Sequence, residues 1–152
     1  TFRILFVCTG NTCRSPMAGA LARVMLAKKL GCPESELPSH GIEVSSAGTA
    51  GGAGRAADHA VAVMRHRKID LSHHVSSGLT AEMIDRADEI LVMTRSHRQS
   101  VLAMVSSAED RVRLVLGDRD LDDPIGGSEE DYERCATALT EGISARLDEV
   151  II

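Results

Sequence analysis

The sequence predicts an α/β protein in which a parallel β-sheet is covered by helices on both faces. Four short apolar runs, partly of β-branched residues, indicate strands that are buried on both sides. Helical stretches separate these runs, and strands that alternate with helices form parallel sheets. The chain has 152 residues, of which 43% are hydrophobic and 26% charged, a composition that suits one substantial core. We therefore expect a single domain over residues 1–152.

Each element follows from a local pattern. The apolar runs predict strands at residues 4–7, 42–44, 90–93 and 112–116. An alanine- and leucine-rich stretch predicts the first helix at residues 16–30, because the following Gly31 is typical of a helix C-cap. Shorter helices are predicted at residues 56–67, 80–86 and 95–105.

The last helix is predicted to begin at Ser128, because Asp131 stands three residues further on, as in a capping box. Apolar residues then recur at a spacing of three to four, which predicts a stripe that faces the core. The residues of this stripe are Tyr132, Cys135, Leu139, Ile143, Leu147 and Val150. We expect Cys135, like Cys32 after the first helix, to be structural.

The segment after the first strand has the composition of a phosphate-binding loop that carries its own nucleophile. It reads Cys8-Thr9-Gly10-Asn11-Thr12-Cys13-Arg14-Ser15 and is followed by Pro16. Ligands of parallel sheets bind outside the carboxyl ends of the strands, where this loop falls. A glycine-containing turn that opens a helix directs backbone N–H groups and the positive helix end at one point. We expect residues 9–14 to hold an oxyanion there.

Three side chains of the loop suit nucleophilic attack on phosphorus. A cysteine at a helix N-terminus beside a guanidinium favours the thiolate, the stronger nucleophile, which predicts this role for Cys8. Arg14 supplies a planar, always-charged fork for two phosphoryl oxygens. Ser15 is predicted as the helix N-cap with Pro16 at the first helical position, and its hydroxyl is available to the Cys8 sulfur. Asn11 tolerates left-handed backbone angles, and its amide is predicted to tie the loop together.

A proton donor is expected after the last predicted strand. Expulsion of an alkoxide, phenolate or amine from phosphorus is accelerated about 10²–10⁴-fold by a positioned acid. Asp122-Asp123-Pro124, followed by Gly126-Gly127, is the best candidate segment. By itself an Asp-Pro pair is also ordinary turn chemistry. The loop around Cys8 makes the catalytic interpretation the better one.

The chain resembles the low-molecular-weight protein tyrosine phosphatases over nearly its whole length. The resemblance rests on residues 7–18, which include the Cys8 loop, and on further segments of the chain. These are Ser46-Ala47-Gly48-Thr49, His74-Val75-Ser76-Ser77 with Leu79-Thr80, Ala87-Asp88-Glu89-Ile90-Leu91-Val92-Met93-Thr94, and Asp123-Pro124 with Gly126-Gly127-Ser128. Thr12 and the Asp-Pro-x-Gly-Gly-Ser run are similar to the bacterial protein-arginine phosphatase branch of this family.

The resemblance implies a three-layer sandwich around four parallel strands, and a phosphatase that acts on phosphorylated proteins. The aspartate before proline is the general acid of the family, which points to Asp123. Cys8 would attack phosphorus while Arg14 and the loop N–H groups hold the oxygens, leaving a cysteinyl-phosphate. Water activated by Asp123 would then hydrolyse this intermediate while Ser15 steadies the departing thiolate. No metal or cofactor is required.

Substrate choice is predicted to depend on Thr12, Asp123 and Ile125. A phosphotyrosine pocket needs aromatic or large apolar walls, and tyrosine-specific members of the family carry aromatic residues after the Asp-Pro pair, where this chain has Ile125. The Thr12 hydroxyl and the Asp123 carboxylate suit a guanidinium, and sites that hydrogen-bond their substrate discriminate well. We therefore favour phosphoarginine over phosphotyrosine. The arginine branch carries an aromatic residue at the position of Ile125, so this chain departs from it there.

Cys13 lies in the same loop as Cys8. The family is known for a redox-sensitive pair, so the resemblance implies a disulfide between Cys8 and Cys13 that protects Cys8 from irreversible oxidation. A small buried residue that packs under the loop is the alternative interpretation of Cys13.

Two other classes of function fit the sequence less well than a phosphatase. A thioredoxin-coupled arsenate reductase has a similar loop but needs two further cysteines close together, and none occurs between Val75 and Leu102. A non-catalytic phosphoprotein-binding module would have little reason to keep Cys8, Arg14 and Asp123 together.

Composition narrows the partners and the compartment. A net charge of -5 and only three aromatic residues, Phe2, Phe6 and Tyr132, argue against nucleic acid. No run reaches the ~18 apolar residues of a membrane span, and the histidines lack metal-ligand spacing. Four cysteines without a paired pattern suit the reducing cytoplasm. We expect a cytoplasmic monomer that binds neither nucleic acid nor membranes.

Overall fold

A four-stranded parallel β-sheet lies at the centre of the protein. The computed structural model describes residues 1–51 and 54–150, without the side chain of Val150. The strands are β1 (Phe2–Cys8), β2 (Ile42–Gly48), β3 (Glu89–Val92) and β4 (Val112–Leu114). Their order is β2-β1-β3-β4, and every pair is parallel. Because β1 is central, its carboxyl end is flanked by the ends of β2 and β3.

Helices cover both faces of this sheet. They are α1 (Arg14–Leu30), α2 (Asp58–His66), α3 (Ala81–Arg86), α4 (Arg95–Met104) and α5 (Glu129–Val150). One core layer joins α1, α2 and α5 to alternate residues of the strands, among them Phe6 and Leu91. The other joins α3 and α4 to the residues between these, such as Val7 and Val92. The predicted three-layer α/β sandwich is confirmed.

The first helix begins earlier than predicted, and Ser15 is not its N-cap. The helix starts at Arg14, and its N-cap is Cys13, which makes no side-chain capping bond. The Cys13 carbonyl accepts the first helical hydrogen bond from Met17 N–H, 3.1 Å away. Pro16 therefore lies in the first turn, where a missing N–H costs no hydrogen bond. The hydroxyl of Ser15 is used by the preceding loop instead.

Two other predicted boundaries are corrected. The strand predicted to reach residue 116 ends at Leu114, because the chain turns at Gly117, whose φ is 87° and whose N–H donates to the Leu114 carbonyl. The helix predicted from residue 56 begins at Asp58. Ala57 is held in an extended conformation, and its N–H donates to the Thr12 carbonyl.

The predicted cap of the last helix is confirmed. Ser128 N–H donates to Asp131 Oδ2 at 2.9 Å, and Asp131 N–H donates to Ser128 Oγ at 3.3 Å. These reciprocal bonds satisfy two N–H groups that a helix start would otherwise leave free. The apolar stripe of α5 from Tyr132 to Leu147 is buried, whereas the side chain of Val150 lies outside the described part. Among the described residues, no helix is both long and apolar enough to cross a membrane.

Candidate active site

The loop of residues 8–15 closes around the sulfur of Cys8. Cys8 is 2% exposed, and its Sγ accepts a hydrogen bond from Asn11 N–H at 3.3 Å and lies 2.9 Å from Ser15 Oγ. Ser15 Oγ accepts a hydrogen bond from Asn11 Nδ2 at 2.7 Å, so its own hydrogen is free for the sulfur. Two donors thus meet at one sulfur atom.

The backbone carbonyls of the loop point outward, toward the surrounding protein. Each carbonyl of residues 8–13 accepts a hydrogen bond from a residue outside this segment. The donors, in order, are Thr49 N–H, Ala50 N–H, Ser76 Oγ–H, His74 Nε2–H, Ala57 N–H and Met17 N–H, at 2.8 to 3.1 Å. In a trans peptide the C=O and the next N–H point in opposite directions. Because these carbonyls point outward, the N–H groups of residues 9–14 point inward.

These inward N–H groups have almost no internal partner. Within the described residues, only Asn11 N–H of this set donates a hydrogen bond, and its acceptor is the Cys8 sulfur. The others belong to Thr9, Gly10, Thr12, Cys13 and Arg14. Successive free N–H groups at a helix N-terminus form a concave site for an anion. An oxyanion beside Cys8 would find these donors already oriented toward it.

Asn11 holds this conformation from the inside. Its φ is 55°, in the left-handed region that asparagine tolerates better than most residues. Besides Ser15, its Nδ2 donates to Ser46 Oγ at 2.9 Å, and its Oδ1 accepts Ser77 N–H at 2.8 Å. Asn11 is completely buried. Its amide ties the loop to the segments around Ser46 and Ser77, the connecting function predicted from the sequence.

Arg14 brings the loop together with Asp123. The Arg14 side chain is 5% exposed, and its Nη1 donates to the Leu121 carbonyl at 2.8 Å. Its Nη2 lies 3.3 Å from Asp123 Oδ2, a carboxylate that is 39% exposed. Asp123 Oδ1 accepts Ile125 N–H at 3.1 Å, which fixes the turn. The neighbouring Asp122 is exposed and makes no ion pair among the described residues, so Asp123 is the aspartate that reaches the loop.

His97 is a site residue that the sequence analysis missed. Its Nδ1 lies 3.1 Å from Thr94 N–H, and its Nε2 lies 2.8 Å from Thr9 Oγ1. Burial, together with the charge of Arg14, lowers the pKa of His97 to about 4. The available signal was Thr94-x-x-His97 after a strand, a capping box in which histidine replaces the usual glutamate.

The other three cysteines are free thiols, of which Cys13 and Cys135 are buried and Cys32 is partly buried. Burial raises the pKa of the Cys13 thiol, and the Tyr132 hydroxyl lies 3.9 Å from its sulfur. Cys8 and Cys13 are both free thiols in this structure. Burial also raises the pKa of Cys135 to about 12, which suits a structural residue. A redox pairing of Cys8 with Cys13 stays a prediction.

Among the described residues, aromatic side chains approach the loop only from the core and not from its exposed side. Phe6 is 0% and Tyr132 2% exposed, both in the core, and Phe2 opens β1 at the other edge of the sheet. Next to Asp123 lies a cavity of about 450 Å³ whose charged lining residues are Asp120, Asp122, Asp123, Asp131, Arg119 and Arg134. Ile125 also lines this cavity and is 63% exposed. Thr12 lies at the loop rim, partly buried.

The structure therefore assembles most of the predicted site. Residues 8–15 form one loop and Asp123 contacts it through Arg14, whereas Ile125 lies further out, on the cavity wall. The described residues include no group of three or more His, Cys, Asp or Glu side chains placed to hold a metal ion.

Comparison with known proteins identifies the class of protein. The profile described as Low molecular weight phosphotyrosine protein phosphatase matches residues 3–150. The chain therefore belongs to the low molecular weight phosphotyrosine protein phosphatase family. It is a phosphoprotein phosphatase, as the Cys8 loop predicted.

Individual relatives refine this placement. A protein-arginine-phosphatase of Geobacillus stearothermophilus is 40% identical over 97% of this chain and 95% of its own length. The probable low molecular weight protein-tyrosine-phosphatase EpsP of Ralstonia nicotianae is 36% identical over 93% of this chain and 91% of its own. The crystal structure of a low molecular weight protein tyrosine phosphatase from T. tengcongensis is 32% identical, covers 99% of this chain and 100% of its own, and has a TM-score of 0.86. The resemblance to the bacterial arginine phosphatase branch is confirmed.

Proposed function

We propose that this protein hydrolyses phosphoarginine on proteins through a cysteinyl-phosphate intermediate. The observation that carries the proposal is the conformation of the loop of residues 8–15. Its free N–H groups surround the Cys8 sulfur, and Arg14 closes one side. Such a cradle is complementary to the equatorial oxygens of a phosphoryl group in the transition state of its transfer. Preorganised donors that stabilise this state contribute most to the rate.

In the first step the Cys8 thiolate attacks phosphorus opposite the leaving group. The S–P bond forms, the P–N bond to arginine breaks, and Asp123 transfers its proton to the departing nitrogen. Arg14 and the loop N–H groups hold the three phosphoryl oxygens during this transfer. Asp123 can take this part because its carboxylate already lies at the edge of the loop, 3.3 Å from the Arg14 guanidinium.

In the second step water attacks phosphorus and gives a proton to the Asp123 carboxylate. The S–P bond breaks and inorganic phosphate is released. Ser15 stabilises the departing sulfur, because its hydroxyl lies 2.9 Å from Cys8 Sγ and is itself oriented by Asn11. These steps balance without a metal or a cofactor.

Arginine is favoured as the phosphorylated residue because no aromatic side chain is available to hold a phenol ring. The aromatic residues of the chain lie in the core or at the start of β1. The cavity beside Asp123 is lined by four aspartates together with Arg119 and Arg134. Asp131 is paired with Arg134 and Asp120 with Arg95, so Asp122 and Asp123 are the carboxylates that suit the N–H groups of a substituted guanidinium. The Thr12 hydroxyl adds one more acceptor at the rim. The name of the Geobacillus relative supports the same substrate.

Phosphotyrosine is the second candidate substrate. Ile125 offers an exposed apolar surface on the cavity wall, and the family profile and the Ralstonia relative both carry tyrosine phosphatase names. A peptide phenol ring would pack against Ile125 from one side only. We therefore place phosphotyrosine second.

The remaining expectations belong to this proposal. The phosphatase works as a single domain and a monomer in the reducing cytoplasm, acts on phosphorylated proteins, and binds neither nucleic acid nor membranes. Mild oxidation is proposed to join Cys8 to Cys13, which lie in one loop as free thiols.

The deciding experiment compares kcat/KM for two peptides that differ only in the phosphorylated residue. We expect the phosphoarginine peptide to be preferred at least tenfold, and Cys8→Ser to abolish hydrolysis of both. A preference for phosphotyrosine would replace the substrate but keep the phosphatase. Hydrolysis that persists in Cys8→Ser would reject the mechanism.

A further inference from the structure

His97 connects the ends of two neighbouring strands. Thr9 follows β1 and Thr94 follows β3, and the His97 ring contacts both, through Nε2 and Nδ1 respectively. The ring is 4% exposed. A buried ring with a partner on each nitrogen has its orientation fixed from two sides.

The contacts define which nitrogen carries the hydrogen. Thr94 N–H is a backbone donor, so Nδ1 must accept and carries no hydrogen. In a neutral imidazole the other nitrogen is then the donor, and Nε2–H donates to Thr9 Oγ1 at 2.8 Å. Thr9 is the residue directly after the nucleophile, and its N–H is one of the free N–H groups of the cradle.

We propose that neutral His97 is a positioning residue of the phosphate loop, which holds Thr9 through its Nε2–H and thereby fixes the peptide between Cys8 and Thr9. The proposal rests on the phosphatase function above. It gives α4 a direct connection to the site, because the same ring caps this helix through Thr94. A hydrogen bond of this kind contributes about tenfold to the equilibrium it favours.

Three substitutions separate positioning from capping. Glutamine at position 97 accepts Thr94 N–H through its carbonyl oxygen and donates to Thr9 through its amide. His97→Glu keeps the capping acceptor, but its second carboxylate oxygen can only accept, so the Thr9 hydroxyl has to reverse and donate, and a negative charge is placed beside the phosphate loop. Thr9→Val removes the acceptor on the loop and leaves the cap untouched. His40→Gln is the control, because His40 is exposed and lies just before β2, at the opposite end of the parallel strands from the Cys8 loop.

We expect His97→Gln to retain activity within about threefold of the wild type. His97→Glu and Thr9→Val should lower kcat/KM about tenfold and weaken inorganic phosphate binding, measured by NMR titration, by a similar factor. Nitrogen-15 spectra of the wild type should show hydrogen on Nε2 of His97. Equal thermal stability of the Gln and Glu variants would locate the loss in the loop rather than in the helix cap.

The idea fails if His97→Glu and Thr9→Val bind phosphate as the wild type does, if His97→Gln is as impaired as His97→Glu, or if Nδ1 carries the hydrogen. Phosphate binding and the tautomer are measured without turnover. A wild-type protein that hydrolysed neither peptide would thus reject the proposed function and leave this test of His97 intact.

Discussion

Asp122 and Asp123 are neighbours in the chain but lie in different surroundings. Both are exposed, but Asp123 pairs with Arg14 and accepts Ile125 N–H, whereas Asp122 makes no ion pair within the described part of the chain. Asp123→Asn removes the acidic proton but keeps the shape of the side chain. We expect kcat to fall about 10²–10⁴-fold, with a change in phosphate affinity of less than about fivefold. Steady-state kinetics and phosphate titration measure the two effects.

Asp122→Asn is the matched control for this acid. It removes the same charge one residue away, and we expect its kcat to stay within about twofold of the wild type. Equal losses in the two variants would show that net charge near the loop, rather than a proton donor, determines the rate.

Thr12 is the residue where substrate preference is most open to change. Its side chain lies partly buried at the loop rim, with Oγ1 3.6 Å from Cys13 Sγ. Thr12→Ile replaces a hydroxyl with a larger apolar group, which suits an aryl ring better than a guanidinium. We expect the ratio of kcat/KM for phosphoarginine to that for phosphotyrosine to fall at least tenfold. Thr12→Ser keeps the hydroxyl and should preserve the ratio; a constant ratio across both variants would contradict the role of Thr12.

The spacing of residues in the sequence predicted the phosphate loop, but not the distant side chains that hold the loop in place. Cys8, Arg14 and Ser15 are close in the chain, so a local pattern finds them. His97 is 88 residues from its partner Thr9, a contact that depends on β1 lying beside β3. The mistaken N-cap has a related cause, because Ser15 suits a helix start by type but is bound by Cys8 and Asn11 in space.

At the scale of the elements, the end of β2 lies so close to the phosphate loop that Gly48 has no room for a side chain. A Cβ on Gly48 would lie 2.5 Å from the Thr9 carbonyl oxygen and 2.9 Å from Asn11 N. Both are backbone atoms of the cradle, so the loop would have to move. We expect Gly48→Ala to lower phosphate affinity at least tenfold and to cost about 1–3 kcal/mol of unfolding free energy. Phosphate titration and urea unfolding measure these effects.

Gly19 provides a control within α1. A Cβ there meets only ordinary contacts, the nearest being Arg23 Nη1 at 3.6 Å. Replacing a helical glycine with alanine stabilises a protein by roughly 0.5–1 kcal/mol. Gly19→Ala should therefore raise stability and leave phosphate affinity unchanged. If Gly48→Ala behaved in the same way, the close approach of β2 would not shape the cradle.

The order and type of the helices and strands could be predicted from the sequence. The residues at which they begin and end could be predicted less accurately. Buried strands and longer helices have local signatures, which is why the five α-helices and four strands of the described chain were all predicted, whereas its three short 3-10 helices were not. The start of α2 depends on a bond to a distant residue, from Ala57 N–H to the Thr12 carbonyl. Local patterns contain no information on such partners.

At the scale of the whole molecule, the buried His97 ring makes the free energy of unfolding depend on pH. Three charged groups act on His97 from the elements around it: Arg14 at the start of α1, and Asp120 and Asp123 in the segment after β4. Burial and Arg14 outweigh the two carboxylates, so the pKa of His97 falls from 6.5 to about 4 on folding. The folded protein thus excludes a proton that the unfolded chain accepts.

This difference makes the whole fold less stable as the pH falls. Above pH 6.5 the ring is neutral in both states and costs nothing. Between pH 6.5 and 4 only the unfolded chain binds the proton, so stability falls with decreasing pH across this window. The loss between pH 7.5 and pH 5 is about 2 kcal/mol from this group. His97→Gln removes the titration while keeping both hydrogen bonds, so its free energy of unfolding should change by about 2 kcal/mol less than that of the wild type between these pH values. Urea unfolding of both proteins at pH 7.5 and 5 measures the difference, and parallel losses in the two proteins would show that His97 is not the titrating group.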